Sequence, residues 1–295
     1  MALGSLGLQF FGQEGLGRAG VGAAGVEAGA VAAAGARDAG VYTLIAFANP
    51  EAPLVSGGVR TGMWWRADGT KMFIARTFNN LRSYDVSPAF SITPGDWSNH
   101  VPVTASSVGR VQITPDGTRL LSLDNSGGSG LLSQTDMSSA FDITTLGSAS
   151  FKVLGLQMQH AYWDPDNGLR LWTLLTGGTL QEHVASSAFS VSTVGAAIKT
   201  FDMSVDAGNV SQFILSRDGT RLYSVTSSNP FPIVSWRLAT PFDISTAGNF
   251  STGLTLNTEL SNPIGPYFRP DNGDLFYCGS TKSGAAQQQF KVFSP

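Results

Sequence analysis

The chain has 295 residues, a formal net charge of -3 and only 13% charged residues, against about 25% in ordinary soluble proteins. That balance excludes the basic field a nucleic-acid binder needs. The single Cys278 excludes an intrachain disulfide and a cysteine-based metal site.

In chain order, the first segment is the least protein-like. Residues 15–40 read "GLGRAGVGAAGVEAGAVAAAGARDAG", with 18 Gly or Ala among 26 positions. Side chains this small bury too little surface to offset chain entropy, so the segment has no core of its own. It reads either as a flexible leader or as an arm held by a neighbouring subunit, since small residues allow close backbone approach. Phe10 and Phe11 in the preceding "LGLQFFGQ" are the candidate anchors of such an arm. The first basic residue is Arg18, and Gln13 and Glu14 break the early apolar stretch, so no secretory signal is expected. No run of about 18 apolar residues exists, so no membrane insertion is expected. The expected division is an arm over 1–40 and one domain over 41–295.

From Val41 onward the sequence turns to strands and tight turns. Five segments align: "MWWRADGTKMFIA" from Met63, "VQITPDGTRLLSL" from Val111, "AYWDPDNGLRLWTL" from Ala161, "FILSRDGTRLYSV" from Phe213 and "PYFRPDNGDLFYC" from Pro266. Their turn aspartates, Asp68, Asp116, Asp166, Asp218 and Asp271, are spaced by 48, 50, 52 and 53 residues. Asp-Gly and Asp-Asn-Gly supply the positive φ that tight hairpins require. Three residues before each aspartate stands a bulky apolar side chain: Trp65, Ile113, Trp163, Leu215 and Phe268.

A second motif follows four of the hairpins: "SPAFSITPG", "SSAFDITTLG", "SSAFSVSTVG" and "TPFDISTAG", with Phe90, Phe141, Phe189 and Phe242 in matching places. Strand-like stretches precede and follow it. That makes four strands per repeat of roughly 50 residues, the period of a propeller blade. The last repeat stops at "KVFSP" and lacks an outermost strand, while "VYTLIAFAN" from Val41 is a strand without a blade. The expected fold is therefore an all-β, five-bladed β-propeller. In it the N-terminal strand pairs with the C-terminal blade, which removes two open sheet edges.

The repeats, "SRDGTRLYSV" followed by "LATPFDISTAG", resemble the degenerate YVTN/NHL-like propeller repeats of bacterial surface proteins and of phage tail, fibre or spike proteins. The resemblance covers residues 41–295 and implies the propeller fold. It supplies no catalytic motif. Joined to the arm and the missing signal, it implies a structural virion protein of a tailed bacteriophage. The arm would anchor it to other virion subunits, and the propeller would meet a glycan or protein receptor on the host. It also implies a homo-oligomer, a trimer being the common case among fibres and spikes.

Chemistry is sparse. A glycosidase needs two carboxylates in the axial channel, and before the turns the inner strands carry Arg66, Thr114, Asp164, Ser216 and Arg269, with one carboxylate among them. The turn aspartates read as turn formers. His100, His160 and His183 fall at unrelated points of their repeats, so no metal triad is expected. His160 is placed where it would line the channel or make a satisfied polar contact. The glycine-rich "NSGGSG" at 125–130 lacks the lysine of a phosphate loop, and "DPDNG" at 164–168 is too short for a known calcium loop. The chain is thus expected to be non-enzymatic, without cofactor or metal.

Ligand-binding candidates are exposed aromatics beside amides and guanidinium groups. They are Trp97 with Asn99, Phe78 with Asn79, and Arg66 and Arg269 with Tyr267 near one mouth of the channel. Trp64, Tyr162 and Tyr267 also read as packing between blades. The alternatives to a virion subunit are a free lectin-like propeller and a five-bladed glycoside hydrolase.

Overall fold

A computed structural model of the chain describes residues 43–48, 60–76, 80–91, 97–104, 110–124, 130–155, 157–226, 232–255, 261–269, 275–280 and 290–294. The expected arm, with Phe10 and Phe11, lies outside them, as do Phe78 and Asn79.

The architecture is an all-β propeller. Four blades are each built from four consecutive antiparallel strands. The first holds β2 (Arg60–Trp65), β3 (Lys71–Arg76), β4 (Asn80–Val86) and β5 (Trp97–Thr104). The second holds β6 (Arg110–Ile113), β7 (Arg119–Asp124), β8 (Leu131–Met137) and β9 (Leu146–Val153). The third holds β10 (Met158–Trp163), β11 (Arg170–Leu175), β12 (Thr179–Ala185) and β13 (Val194–Asp202). The fourth holds β14 (Val210–Leu215), β15 (Arg221–Thr226), β16 (Pro232–Leu238) and β17 (Ala247–Thr255). A further four-stranded sheet is composite. Its order is β1 (Thr43–Ala48), β20 (Phe290–Ser294), β19 (Leu275–Ser280), β18 (Ser261–Phe268), with Thr43 opposite Ser294 and Ala48 opposite Phe290.

The inner hairpins of the four consecutive blades are locked by their own side chains. Asp116 Oδ1 accepts from the backbone N–H of Thr118 at 3.0 Å and from the Thr114 hydroxyl at 2.6 Å. Asp218 does the same with Thr220 and Ser216 at 3.0 and 2.6 Å. The aspartate thus mimics a backbone turn. Burial by itself would raise both carboxyls, but these hydrogen bonds outweigh it and hold them below the usual range.

The longer Asp-Asn-Gly turn of the third blade is wired differently, and this corrects the sequence alignment. Asn167 Oδ1 accepts from Leu169 N at 2.8 Å, the bond that the aspartate makes elsewhere. Asp164 takes the place of Thr114 and Ser216, accepting from Asp166 N at 3.0 Å and from Asn167 Nδ2 at 2.8 Å. Asp166 is therefore not the turn former its spacing suggested.

The repeated phenylalanines explain the second motif. Phe90, Phe141, Phe189 and Phe242 all have φ between 53° and 61°, a region that bulky residues rarely enter. Each donates its backbone N–H to the carbonyl of the turn glycine of its own blade, at 2.8–2.9 Å. Its ring covers the space where that glycine would carry a Cβ. The two repeated phrases are thus one clamp: the glycine has no side chain because a phenylalanine ring occupies its place.

The core lies between sheets. One cluster joins Phe73 and Leu81 of the first blade to Ile113 and Leu120 of the second. Another joins Leu123 and Leu132 to Trp163 and Leu171. A third joins Trp172 and Leu180 to Phe213 and Trp236. Polar ties follow the same seams. Gln112 donates to the carbonyl of Trp163 at 2.9 Å and accepts from its N–H at 2.8 Å, pairing with the next inner strand as a backbone would. Gln212 accepts in the same way from Gly265 N, reaching from β14 to β18.

Candidate functional site

The inner strands β2, β6, β10, β14 and β18 all contribute to a cavity of about 240 Å³ on the propeller axis. Three levels can be read from the hairpin register. At the start of the inner strands the wall carries Gly62, Arg110, His160 and Gly265. Two residues further on it carries Trp64, Gln112, Tyr162, Ile214 and Tyr267. The turn end adds Asp166, Arg217 and Arg269, with prolines and Ala67 between them.

The middle level is an aromatic belt. Trp64 meets Tyr267 edge-on, with ring centroids 6.1 Å apart, and stacks over Phe141 at 6.4 Å. Tyr162 lies against Trp172 and Phe213 at 6.2 and 6.4 Å. All three belt residues are half-buried, so each ring packs on a blade and still presents a face to the cavity. The two readings made of them, packing and binding surface, are therefore compatible.

The strand-start level is basic. Arg110 is held by a hydrogen bond from its Nε to the carbonyl of Gln159, 3.1 Å long, and burial draws its guanidinium down to about 10. His160 is 7% exposed and sits edge-on to Phe213 at 5.0 Å, and its Nδ1 has no hydrogen-bond partner. Burial, with the Arg110 charge beside it, pushes its imidazole well below the ordinary value. The ring is neutral at pH 7, with one nitrogen free to donate or accept.

Of the candidates chosen from sequence, Tyr267 and Arg269 lie on the cavity wall. Arg66 does not join them. Its guanidinium sits 4.8 Å over the Phe141 ring and its Nε is 3.1 Å from Asp68. Arg269 lies 4.4 Å over Phe90 in the same manner, so an arginine before one turn covers the phenylalanine clamp of the next sheet. Trp97 and Asn99 stand on β5, the outermost strand of its sheet, away from the axis. Asp164, the one carboxylate that the sequence places just before a turn, is spent on that turn and 4% exposed, while Asp166 lines the cavity. Arg110 and Gln112 were not chosen from sequence. The hairpin register could have found Arg110, since it stands six residues before Asp116, as His160 does before Asp166.

A second histidine, His183 on β12, is structural. His183 Nδ1 lies 3.1 Å from the carbonyl of Gly195, which only accepts, so that nitrogen carries the proton and Nε2 accepts from Thr173 Oγ1 at 3.0 Å. Burial lowers its imidazole against the opposing effect of that carbonyl. Among the described residues, no three His, Cys, Asp or Glu side chains converge as a metal site.

These shifts fix a pH dependence. His160 and His183 both have folded values below the unfolded one of about 6.5, so below that pH the unfolded chain binds more protons and stability falls. Glu182 acts in the opposite sense. Burial raises its carboxyl, so acidification toward the ordinary glutamate range stabilises the fold through that group alone. With two histidines against one glutamate, urea unfolding should show the midpoint falling from pH 7 to pH 5.5, and His183→Gln should flatten that slope. A midpoint indifferent to pH over this range would contradict the buried neutral imidazoles.

No family model matches the chain, and no curated protein matches it. Among solved structures it is similar to the β-propeller domain of Cps50 (Swd1) from Myceliophteria thermophila. The two are 12% identical, the match covers 80% of this chain and 71% of that one, and the TM-score is 0.45.

Proposed function

We propose that this protein is a non-catalytic recognition propeller that binds a small ligand, a sugar unit of a surface glycan, in its axial cavity. The observation that carries the reading is the cavity wall. Aromatic faces, the Gln112 amide and basic groups converge there from the inner strands of all five sheets, and among the described lining side chains Asp166 is the one carboxylate. Hydrolysis of a glycosidic bond needs two carboxylates flanking it, whereas aromatic faces with a few fixed polar groups suit ligand recognition. The volume matches one ring-sized unit, since it is below the roughly 300–1,000 Å³ typical of drug-sized ligands.

The five sheets are read as the blades of one closed ring. Support comes from the seam between the composite sheet and the first blade. Trp64 meets Tyr267 there, and Arg269 covers Phe90. The setting proposed for the disc is a virion of a tailed bacteriophage, with residues 1–40 as its anchor. That part rests on the repeat resemblance and on the arm's composition.

A glycan array probed with the full chain tests the binding reading. Binding to a limited set of glycans, lost in Trp64→Ala and Tyr162→Ala variants that still fold, is the expected result. Silence across the array, or binding indifferent to both substitutions, overturns it. Removing residues 1–40 should abolish incorporation into particles; normal incorporation would end the anchoring proposal.

A further inference from the structure

We propose that Asp166 is the hydroxyl-reading residue of the axial cavity: its carboxylate takes two adjacent hydroxyl groups of a sugar ring whose face lies on Trp64 and Tyr267. The inference rests on the reading of the cavity as a glycan-unit site and names the residue and the ligand feature that decide which unit binds.

Asp166 is spared the duty of its counterparts in the other blades. Asp68 accepts from the Thr70 N–H at 3.0 Å and pairs with Arg66 at 3.1 Å. Asp116 and Asp218 each accept from the hydroxyl before the turn and the N–H after it. In the longer turn of the third blade, Asn167 makes the closing bond to Leu169 N at 2.8 Å, and Asp164 stands where the hydroxyl does elsewhere. Of Asp166 only the backbone N–H is engaged, by Asp164 at 3.0 Å. Among the described residues its carboxylate has no hydrogen bond and no ion pair. It is exposed and lines the cavity at the turn end.

Inner-strand contacts run from β2 to β6, β10, β14, β18 and back to β2. The strand that leads into Asp166, β10, therefore stands across the cavity from the corner between β2 and β18, where Trp64 and Tyr267 meet edge-on. A sugar ring is apolar on its C–H faces and polar along its edge, so a face laid on that corner turns hydroxyls toward β10. An ionised carboxylate only accepts, through two oxygens. Two hydroxyls on neighbouring ring carbons present their O–H groups side by side, and each donates a charge-assisted hydrogen bond to one of those oxygens. Tyr162, on the same strand, adds a donor. Burial first, then Asp164, Tyr267 and Asp166, pushes its phenol above the ordinary value, so the hydroxyl keeps its proton.

The test is calorimetric titration of the full chain with glucose, galactose, mannose and N-acetylglucosamine, repeated on Asp166→Asn, Asp166→Ala and Trp64→Ala. At least one sugar is expected to bind with one site per chain. Both Asp166 variants should weaken it about ten- to a hundredfold, the range set by hydrogen bonds to a charged group. Their thermal unfolding should match wild type, because the Asp166 carboxylate holds no part of the turn. Monodeoxy forms of the sugar that binds then map the contact. Removing either of two neighbouring hydroxyls should cost wild type about tenfold and Asp166→Ala almost nothing. Asp166→Ala binding as tightly as wild type overturns the assignment, and loss of binding in Trp64→Ala then leaves the cavity reading standing. Losses confined to one hydroxyl, or to hydroxyls on distant carbons, overturn the adjacent pair. Absence of binding by all these sugars overturns the role of Asp166, while the glycan array separately decides whether the cavity binds any sugar.

Discussion

Replacing Trp236 with alanine is expected to remove about 3–5 kcal/mol of stability, the usual cost of deleting a fully buried large aromatic. Trp236 is 0% exposed, on β16 of the fourth blade. It meets Phe201 of the third blade edge-on at 5.6 Å and Phe250 of β17 at 5.5 Å. Its indole N–H donates to Asp206 at 2.8 Å, in the short helix α1 (Ser204–Ala207) that joins the two blades. One side chain thus fills an interface, bridges two sheets and satisfies a carboxylate. Trp236→Phe keeps most of the ring and loses the hydrogen bond to a charged group, about 1.5–3 kcal/mol, so it should fall between wild type and alanine. Chemical denaturation of the three proteins provides the measurement. A loss below about 1 kcal/mol in the alanine variant would mean the cavity collapses and that the seam between these blades does not carry the stability.

Gly219→Ala is the second large effect, expected at about 3 kcal/mol from two sources of about 1–3 kcal/mol each, a disfavoured φ and overpacking. Gly219 has φ of +68°, and a Cβ there would overlap the Phe242 ring. Phe242 is itself held at φ of 61° by its N–H bond to the Gly219 carbonyl at 2.8 Å. The clamp therefore predicts coupling. Adding Phe242→Ala removes the overlap, so the double variant should be less destabilised than the sum of the two single ones. Strict additivity would show that the ring and the glycine do not compete for the same space.

The clamp also shows how far local sequence reached. The Asp-Gly turn, its preceding hydroxyl and the bulky residue three places before it are explained by one hairpin, and Trp65, Ile113, Trp163 and Leu215 are buried as that register requires. The phenylalanine motif was visible as a repeat, but its purpose was not. Its partner is a glycine more than twenty residues upstream, and an absent side chain leaves no pattern in a sequence. The third-blade turn shows the opposite failure. Asp166 and Asn167 both form turns readily, and only the hydrogen bonds to Leu169 and Asp164 decide that Asn167 closes the turn, leaving Asp166 for the cavity.

The axial site lay further out of reach. Arg110, His160, Trp64 and Tyr267 are far apart along the chain, and each is unremarkable where it stands. They share a wall because a four-stranded repeat puts the start of every inner strand at one end of the same axis. By itself the sequence determined the strand-and-turn unit, its repetition and the all-β propeller, because a tight hairpin, a period-two strand and a buried apolar residue are set by near neighbours. Only the tertiary structure decided which side chains meet on the axis, which carboxylate is spent on a turn, and which buried histidine leaves its Nδ1 without a hydrogen-bond partner. Those outcomes depend on how one sheet packs against the next, and that packing joins residues about fifty positions apart.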